Sequence, residues 1–242
     1  MKRSPKEIKE SIIVRPSDER GHAQHGWLDS YFTFSFAEYY DPAHMGFRSL
    51  RVINEDRVEA GMGFDTHPHR DMEIFTYVIE GALKHKDSMG HESTLKAGQV
   101  QKITAGTGIR HSEFNASAKE KVHLLQIWIE PQEKGLKPSY QEYSLALANE
   151  KNPLLLMGSP QGGNNVVQFN QDVYVYRGVL KEGKSVPYKI NSGRGLWLQI
   201  VRGEIKLNGH TLRDGDGASV ENVKEITLNA SKNSEFLLFD LK

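Results

Sequence analysis

Short apolar runs separated by turn-forming residues recur along the whole chain. "EIFTYVI" (Glu73–Ile79), "HLLQIWI" (His123–Ile129), "GLWLQIV" (Gly195–Val201) and "SEFLLFDL" (Ser234–Leu241) are rich in β-branched and aromatic residues, so each predicts a strand. Stretches such as "DSMG", "LNGH" and "RDGDG" have the composition of turns. Strands this short, at this spacing, are typical of antiparallel sandwiches and barrels. We therefore predict an all-β fold with few short helices.

The middle of the chain carries the best helical pattern and a candidate domain boundary. "SYQEYSLALANEK" (Ser139–Lys151) has a helix-like spacing of apolar residues and predicts about three turns of helix. The stretch before it, "EPQEKGLKPSY" (Glu130–Tyr140), is polar and contains two prolines and one glycine. Such composition is typical of the segment between two domains. We predict one domain over residues 1–135 and a second over residues 136–242.

The two halves share an arrangement of glycines. "YVIEGALKHKDSMGHESTLKAGQV" and "QIVRGEIKLNGHTLRDGDGA" both follow the scheme strand, glycine, strand, turn, strand, glycine. The glycines that match are Gly81, Gly90 and Gly98 in the first half and Gly203, Gly209 and Gly215 in the second. Glycines at these places are common in hairpins, so a chance match is the alternative. Two similar β modules in tandem are the simplest explanation.

Charge and cysteine content exclude several classes of function. The 242 residues include 31 Lys and Arg and 31 Asp and Glu, which gives a formal charge of +0. A protein that binds nucleic acid or an anionic membrane usually carries a basic excess, so neither partner is expected. With no cysteine, the chain has no disulfide, thiolate metal site or thiol nucleophile. The first residues, "MKRSPKEIKESIIVRP", lack a long apolar run, so we expect no export signal and a cytoplasmic protein.

Two histidines one residue apart are the first candidate for chemistry. In "GFDTHPHRDMEIF", His67 and His69 flank Pro68, which fixes its own φ and stiffens the pair. Alternate residues of a strand point to one face, about 6 to 7 Å apart, so both imidazoles can reach one metal ion. Two surface histidines on an edge strand are the alternative. Lys189 and Asn191 lie as far before Gly203 as His67 and His69 lie before the matching Gly81, so the second module lacks the histidine pair.

A second segment offers further ligands with the same period of two. In "TAGTGIRHSEFN", His111 and Glu113 follow a glycine-rich turn and share one face of a predicted strand. Together with His67 and His69 they form a set of three nitrogens and one oxygen. Such a set suits one divalent ion: Fe(II) is expected, and Mn, Ni, Cu and Zn are compatible. The centre would carry a net charge near +1 and attract anionic oxygen ligands.

These segments resemble the two paired motifs of the cupin family. The first motif, G-x5-H-x-H-x3,4-E-x6-G, is matched with one extra residue before its last glycine, at Gly61, His67, His69, Glu73 and Gly81. The second, G-x5-P-x-G-x2-H-x3-N, is matched at Gly98, Gly108, His111 and Asn115. It departs from the family in having Gly106 in place of the proline, with two extra residues before it.

Within the cupins, three stretches of the first half closely resemble the pirin family. They are "RGHAQHGWLDSYFTFSFAEYYDP", "HPHRDMEIFTYVIEG" and "TAGTGIRHSE". The resemblance implies two tandem cupin barrels, jelly-roll-like and facing each other, with the second barrel free of metal. It also implies His67, His69, His111 and Glu113 as metal ligands. Most cupins would use the position of Glu73, which remains a candidate partner or base of the site; Glu113 is a candidate base as well as a ligand.

The length resembles the short bacterial branch of pirins, some of which have quercetin 2,3-dioxygenase activity. The resemblance therefore implies a metal-dependent dioxygenase that opens a flavonol ring with O₂ and releases CO. One alternative is a regulatory protein without enzymatic activity that responds to metal or redox state; another is an oxygenase with a different physiological substrate. A monomer is expected, because each module can cover the open sheet face of the other.

The remaining histidines of the first half have structural interpretations. His22 and His25 flank a glycine turn and are expected to make structural hydrogen bonds. His85 and His91 surround the "DSMG" turn and are predicted to be exposed, whereas His123 begins an apolar strand and is predicted to pack. The aromatic run "YFTFSFAEYY" (Tyr31–Tyr40) is predicted to lie in a core or module interface, with part of it available to line a pocket.

Overall fold

The computed structural model describes residues 11–145 and 153–242. Up to residue 145, the chain forms twelve strands: β1 (Ser11–Arg15), β2 (Gly21–Gln24), β3 (Leu28–Phe32), β4 (Leu50–Val58), β5 (Gly63–His69), β6 (Glu73–Glu80), β7 (Ala82–Asp87), β8 (Glu92–Lys96), β9 (Gln99–Thr104), β10 (Ile109–Asn115), β11 (Val122–Ile129) and β12 (Ser139–Ser144). A three-residue 3₁₀ helix, Ser17–Glu19, is the only helix among the described residues. Both findings confirm the all-β prediction.

From residue 153 onward the chain forms ten further strands. They are β13 (Leu154–Ser159), β14 (Val167–Gln168), β15 (Val173–Leu180), β16 (Ser185–Lys189), β17 (Gly195–Arg202), β18 (Glu204–Leu207), β19 (His210–Arg213), β20 (Gly217–Glu221), β21 (Glu225–Ala230) and β22 (Ser234–Leu241). No described helix has the length and hydropathy that crossing a membrane requires.

The strands form two barrels, each made of a seven-stranded and a four-stranded sheet. The first barrel has the orders β12-β9-β6-β11-β4-β3-β2 and β5-β10-β7-β8. The second has β1-β20-β17-β22-β15-β13-β14 and β16-β21-β18-β19. Pairing is antiparallel throughout except between β13 and β14. The predicted tandem of cupin-like barrels is confirmed.

The two seven-stranded sheets face each other across the largest apolar core. Strand β6 is buried on both faces, which explains its continuous apolar run. Phe75 and Tyr77 pack into the core between the barrels, beside Phe239 and Trp197 of the second barrel. Ile74, on the other face, packs inside the first barrel. The continuous run in the sequence thus reflects a strand that serves two cores.

Each barrel takes one strand from the far side of the 135/136 division. Strand β1 pairs with β20 of the second barrel, and β12 pairs with β9 of the first. Sequence periodicity carries no information about such pairing, because it depends on where distant segments meet. We retain residues 1–135 and 136–242 as a proposed division of the chain.

The helix predicted over Ser139–Lys151 is wrong for its first half. Residues Ser139–Ser144 form strand β12, with Tyr140 opposite Ile103 of β9. Tyr140 and Tyr143 are three residues apart, which fits one helix face, but in the strand they point to opposite sides. Tyr140 contacts the inside of the first barrel and Tyr143 packs against the core between the barrels. Residues 146–152 lie outside the described part of the chain.

Candidate metal centre

Strands β5 and β10 bring three histidines together inside the first barrel. The two strands pair antiparallel in the four-stranded sheet, with His111 directly opposite His67 and Ile109 opposite His69. The distances between ring centroids are 4.8 Å for His67 and His69, 4.5 Å for His67 and His111, and 4.9 Å for His69 and His111. One ring nitrogen from each lies within 4.8 Å of the others. The three imidazoles therefore converge as one group.

The hydrogen bonds of these rings leave nitrogen lone pairs available. His67 Nδ1 lies 2.7 Å from the carbonyl oxygen of Asp65. A carbonyl oxygen can only accept, so Nδ1 carries the proton and Nε2 keeps a lone pair. Both ring nitrogens of His111 are buried and have no hydrogen-bond partner within the described structure. Buried polar atoms without a partner are rare, and a bound ion would account for these.

Glu113 enters the barrel from the same strand as His111. Its side chain is buried, and Gln101 Nε2 and Gln126 Nε2 each donate to one carboxylate oxygen, at 2.5 and 2.9 Å. Burial raises the pKa of Glu113. A carboxylate oxygen of Glu113 lies within 4.8 Å of ring nitrogens of both His111 and His85, so it joins the imidazole group through His111. The two amide donors fix the carboxylate in place.

Glu73 is in neither group of converging ligand atoms in the described part of the chain, and its role as a partner or base of the site stays a prediction. Its carboxylate forms a buried ion pair with Lys102 Nζ at 2.5 Å and accepts a hydrogen bond from the backbone N–H of Asn170 at 3.0 Å. His69 ends β5 and Glu73 begins β6, and these strands lie in different sheets. Asp71, at φ 50°, turns the chain between them.

The structure corrects the prediction for His85, which is fully buried rather than exposed. Its ring stacks on Tyr140, with centroids 4.8 Å apart, and lies 5.4 Å from the ring of His111. His85 Nε2 lies 3.3 Å from Asp87 Oδ2, while His85 Nδ1 has no partner in the described structure. The period-two pattern "LKHKD", with Leu83, His85 and Asp87 inward and lysines outward, is the signal that could have revealed this.

The environments of the other histidines discussed above agree better with those predicted from the sequence. His91 is exposed, as predicted. His22 Nε2 bonds Asp29 Oδ1 at 2.6 Å, and His123 Nε2 bonds Glu55 Oε1 at 3.0 Å. His25 lines a cavity, and its backbone N–H donates a hydrogen bond to the carbonyl oxygen of Leu28 at 2.9 Å.

This cavity, of about 500 Å³, opens onto His67, His69 and Glu113. Five of its lining residues are Phe or Trp, and two of these, Phe32 and Phe36, come from the predicted aromatic run. Phe34 of the same run packs on Trp197 in the core between the barrels. The other Trp and Phe residues of the lining are Trp27, Phe64 and Trp128. The volume lies within the range of small-molecule sites.

Replacing His85 should weaken metal binding, because this ring and Asp87 lie behind His111. Outer residues that orient metal-bound histidines typically change metal affinity about 10- to 100-fold. We expect a loss of that size for His85→Gln, measured by titration against a chelator. His91→Gln removes an exposed ring that shares the Asp87 carboxylate and should leave affinity within about twofold. Equal affinities for the two variants would contradict this role.

Protonation of the imidazole group should control the stability of the metal-free protein. Burial, with the neighbouring imidazoles, lowers the pKa of both His69 and His111 from 6.5 to about 3. The unfolded chain therefore takes up protons below pH 6.5 that the folded chain refuses until about pH 3. Stability is full above pH 6.5 and falls as the pH drops, by up to about 1.4 kcal/mol per pH unit for each ring.

Urea unfolding at about pH 7.5 and about pH 5 measures this loss. A variant with both His69→Asn and His111→Asn should lose less free energy of unfolding between the two conditions than the parent chain does. His210→Asn, which changes an exposed histidine of the second barrel, should not alter the loss. If all three proteins lost the same free energy of unfolding between the two pH values, the loss could not be assigned to His69 and His111.

In the described part of the chain, both groups of converging His, Cys, Asp and Glu ligand atoms lie in the first barrel. The positions predicted to replace the histidines in the second, Lys189 and Asn191, are exposed. Two cupin barrels, of which only the first has a metal-capable group among the described residues, define a bicupin with one candidate centre.

Comparison with known proteins places the chain within this class. The family model described as Pirin matches residues 13–129, and that of the Quercetinase C-terminal cupin domain matches residues 156–241. Quercetin 2,3-dioxygenase from Escherichia coli K12 is 47% identical over 230 residues, which cover 95% of this chain and 98% of that protein. A putative quercetin 2,3-dioxygenase from Pasteurella multocida is 41% identical, with 95% and 99% covered. The chain belongs to the pirin family.

Solved structures agree with this assignment. The crystal structure of YhhW from Escherichia coli aligns with a TM-score of 0.93 and 46% identity, covering 96% of this chain and 98% of that one. The structure of the bacterial pirin YhhW in complex with nickel(II), also from Escherichia coli, aligns with a TM-score of 0.91 at 46% identity. Its coverage is 96% of this chain and 99% of that one.

Proposed function

We propose that this protein is a metal-dependent dioxygenase of the pirin type that opens the ring of a flavonol such as quercetin with O₂ and releases CO. The observation that carries this function is a group of three converging imidazoles, two of which line a cavity that also has Trp and Phe side chains in its walls. It is supported by 47% identity, over 95% of the chain, to a protein named quercetin 2,3-dioxygenase. Quercetin and O₂ are therefore the proposed substrates.

His67, His69, His111 and Glu113 would hold one divalent ion. The free Nε2 of His67, the unpartnered nitrogens of His111 and the fixed carboxylate of Glu113 supply a suitable donor set. When bound, the ion supplies Lewis-acid chemistry toward oxygen donors. Fe(II) is our proposed metal; a related structure holds nickel(II), and Mn, Cu and Zn also suit these donors.

The residues of the site would bind and orient the substrate and handle its proton. Trp27, Phe64 and Trp128 provide aromatic faces for a planar ring and restrict water beside the imidazoles. Glu113 is our candidate base: burial raises its pKa, so one of its oxygens can take the proton of a substrate hydroxyl. Gln101 and Gln126 hold both oxygens of Glu113 in place during that transfer.

Turnover by the reconstituted protein tests this function. The metal-free protein is loaded anaerobically with Fe(II) or Ni(II), its metal content is measured, and quercetin is then added in air. We expect loss of the flavonol absorbance together with release of CO. A protein that holds one ion per chain and leaves quercetin unchanged would remove this function and favour a regulatory role or a different substrate. The cytoplasmic location and the monomeric state remain predictions.

A further inference from the structure

One wall of the cavity carries polar side chains that the metal centre does not use. Asn54 and Asp56 come from β4, and Trp128 comes from β11, and all three line the cavity beside His69 and Glu113. Asn54 and Asp56 are two residues apart on one strand and therefore share a face. Asn54 lies opposite Gln126, which donates to Glu113, and Asp56 lies opposite Ser30. We call Asn54, Asp56 and Trp128 the polar wall.

Two atoms of the polar wall have no partner within the described structure. Asn54 is 3% exposed, and its Oδ1 is buried without a hydrogen bond. The indole Nε1 of Trp128 is also buried and unpartnered. Buried acceptors and donors are nearly always satisfied by protein, water or ligand. An unpaired acceptor and an unpaired donor on the walls of one cavity point to a ligand that both accepts and donates.

Asp56 adds a carboxyl group that is not committed to a cation. It is 4% exposed and accepts a hydrogen bond from Ser30 Oγ, but it takes part in no ion pair among the described residues. The adjacent Glu55 points to the other face and pairs with Arg20, Arg57 and His123. Burial raises the pKa of Asp56 to about 7, so near neutral pH this group can donate or accept a hydrogen bond.

The remaining walls fit a flat apolar body. Trp27 and Phe64 meet edge to face at 5.2 Å, and Trp128 lies edge-on to Phe36 at 5.3 Å and to His69 at 5.0 Å. Trp128 of the polar wall contacts His69 of the imidazole group, so the polar wall continues the lining of the cavity next to the imidazoles. A ligand that satisfies all of them is a planar aromatic molecule with one oxygen edge at the imidazoles and a further hydroxyl elsewhere.

We propose that the polar wall is a hydroxyl-binding subsite that selects polyhydroxylated flavonols over flavonols that carry only the 3-hydroxyl. A phenolic hydroxyl other than the 3-hydroxyl donates to Asn54 Oδ1 and exchanges hydrogen bonds with Asp56, and the Trp128 indole N–H donates to a substrate oxygen. The identity of the ligand rests on the proposed function. The preference between flavonols arises from hydrogen bonds to the polar wall, so it affects the dissociation constant and can be measured without turnover.

Anaerobic binding of two ligands tests this subsite. Quercetin and 3-hydroxyflavone are titrated into the Ni(II)-loaded protein without O₂, and dissociation constants are read from the optical change of the ligand. We expect quercetin to bind about tenfold more tightly, as one or two buried hydrogen bonds would give. Asn54→Ala and Asp56→Asn should each reduce this ratio severalfold. Asp29→Asn, the same change on the opposite face of neighbouring strand β3, should preserve it.

The unmodified protein alone decides the question if a variant fails to fold. The subsite would be overturned if the protein bound the two ligands equally or bound neither. It would also be overturned if both folded variants kept the same preference for quercetin over 3-hydroxyflavone. Failure of the proposed function gives a different result. Quercetin would still bind selectively without oxygen, but it would not be consumed when air is admitted. Turnover of both flavonols with equal binding would retain the function and remove the subsite.

Discussion

The variant His69→Ala should lose its divalent ion and, with it, turnover of quercetin. His69 is one of three imidazoles whose nitrogens lie within 4.8 Å of one another, and it also lines the substrate cavity. Removing a direct ligand should cost more than removing an outer residue, so we expect metal affinity to fall by more than about 100-fold. Metal analysis after dialysis, and competition with a chelator, measure this directly.

His210→Ala is the matched control for this loss. It removes an exposed histidine from the second barrel and should leave both metal content and turnover unchanged. A His69→Ala protein that is folded, holds one ion per chain and consumes quercetin at the parent rate would show that the ion binds elsewhere.

Glu73 and Glu113 should respond in opposite ways to the same substitution by glutamine. Glu73→Gln leaves the ammonium group of Lys102 buried without its counter-charge, because the pair is almost fully enclosed. Breaking a buried ion pair from one side typically costs about 3 to 5 kcal/mol, and we expect a loss of that order in the free energy of unfolding. The imidazole group does not involve Glu73, so the metal content of the folded fraction should not change.

Glu113→Gln should affect the metal far more than the fold. Burial already raises the pKa of Glu113, so loss of its charge costs the metal-free fold little, and the structural cost is confined to the new NH₂ group meeting one of the two glutamine donors. The loss of a carboxylate ligand should lower metal affinity. Urea unfolding of both metal-free variants, combined with metal analysis, separates the two roles.

Glu80→Gln is the surface reference for both glutamates. Its side chain is 64% exposed at the end of β6, and its replacement should change stability by no more than about 0.5 kcal/mol. If Glu73→Gln lost the ion and Glu113→Gln retained it, the assignment of the fourth ligand would be reversed.

The alternation of residues at every second position is sufficient to predict the strands that carry the metal-capable group. His67 and His69 share a face because strands alternate, and the same holds for His111 and Glu113. That the two strands pair with His67 opposite His111 depends on non-local contacts, and only the family resemblance anticipated their meeting. The short apolar runs and the turn-forming stretches between them are likewise sufficient to predict the all-β fold class.

The failures have a common physical cause, because each depends on contacts between distant strands. His85 was predicted to be exposed from its nearness to a turn, although its own strand alternates inward. The tyrosines of β12 fit a helix in sequence, but pairing with β9 fixes them in a strand.

Anomalous diffraction from crystals of the Ni(II)- or Fe(II)-loaded protein tests the central claim most directly. The claim is that four side chains of the first barrel hold one divalent ion. We predict one strong peak, about 2.0 to 2.2 Å from nitrogens of His67, His69 and His111 and from a carboxylate oxygen of Glu113, with none in the second barrel. A peak at other residues, or an ion bound without Glu113, would contradict it.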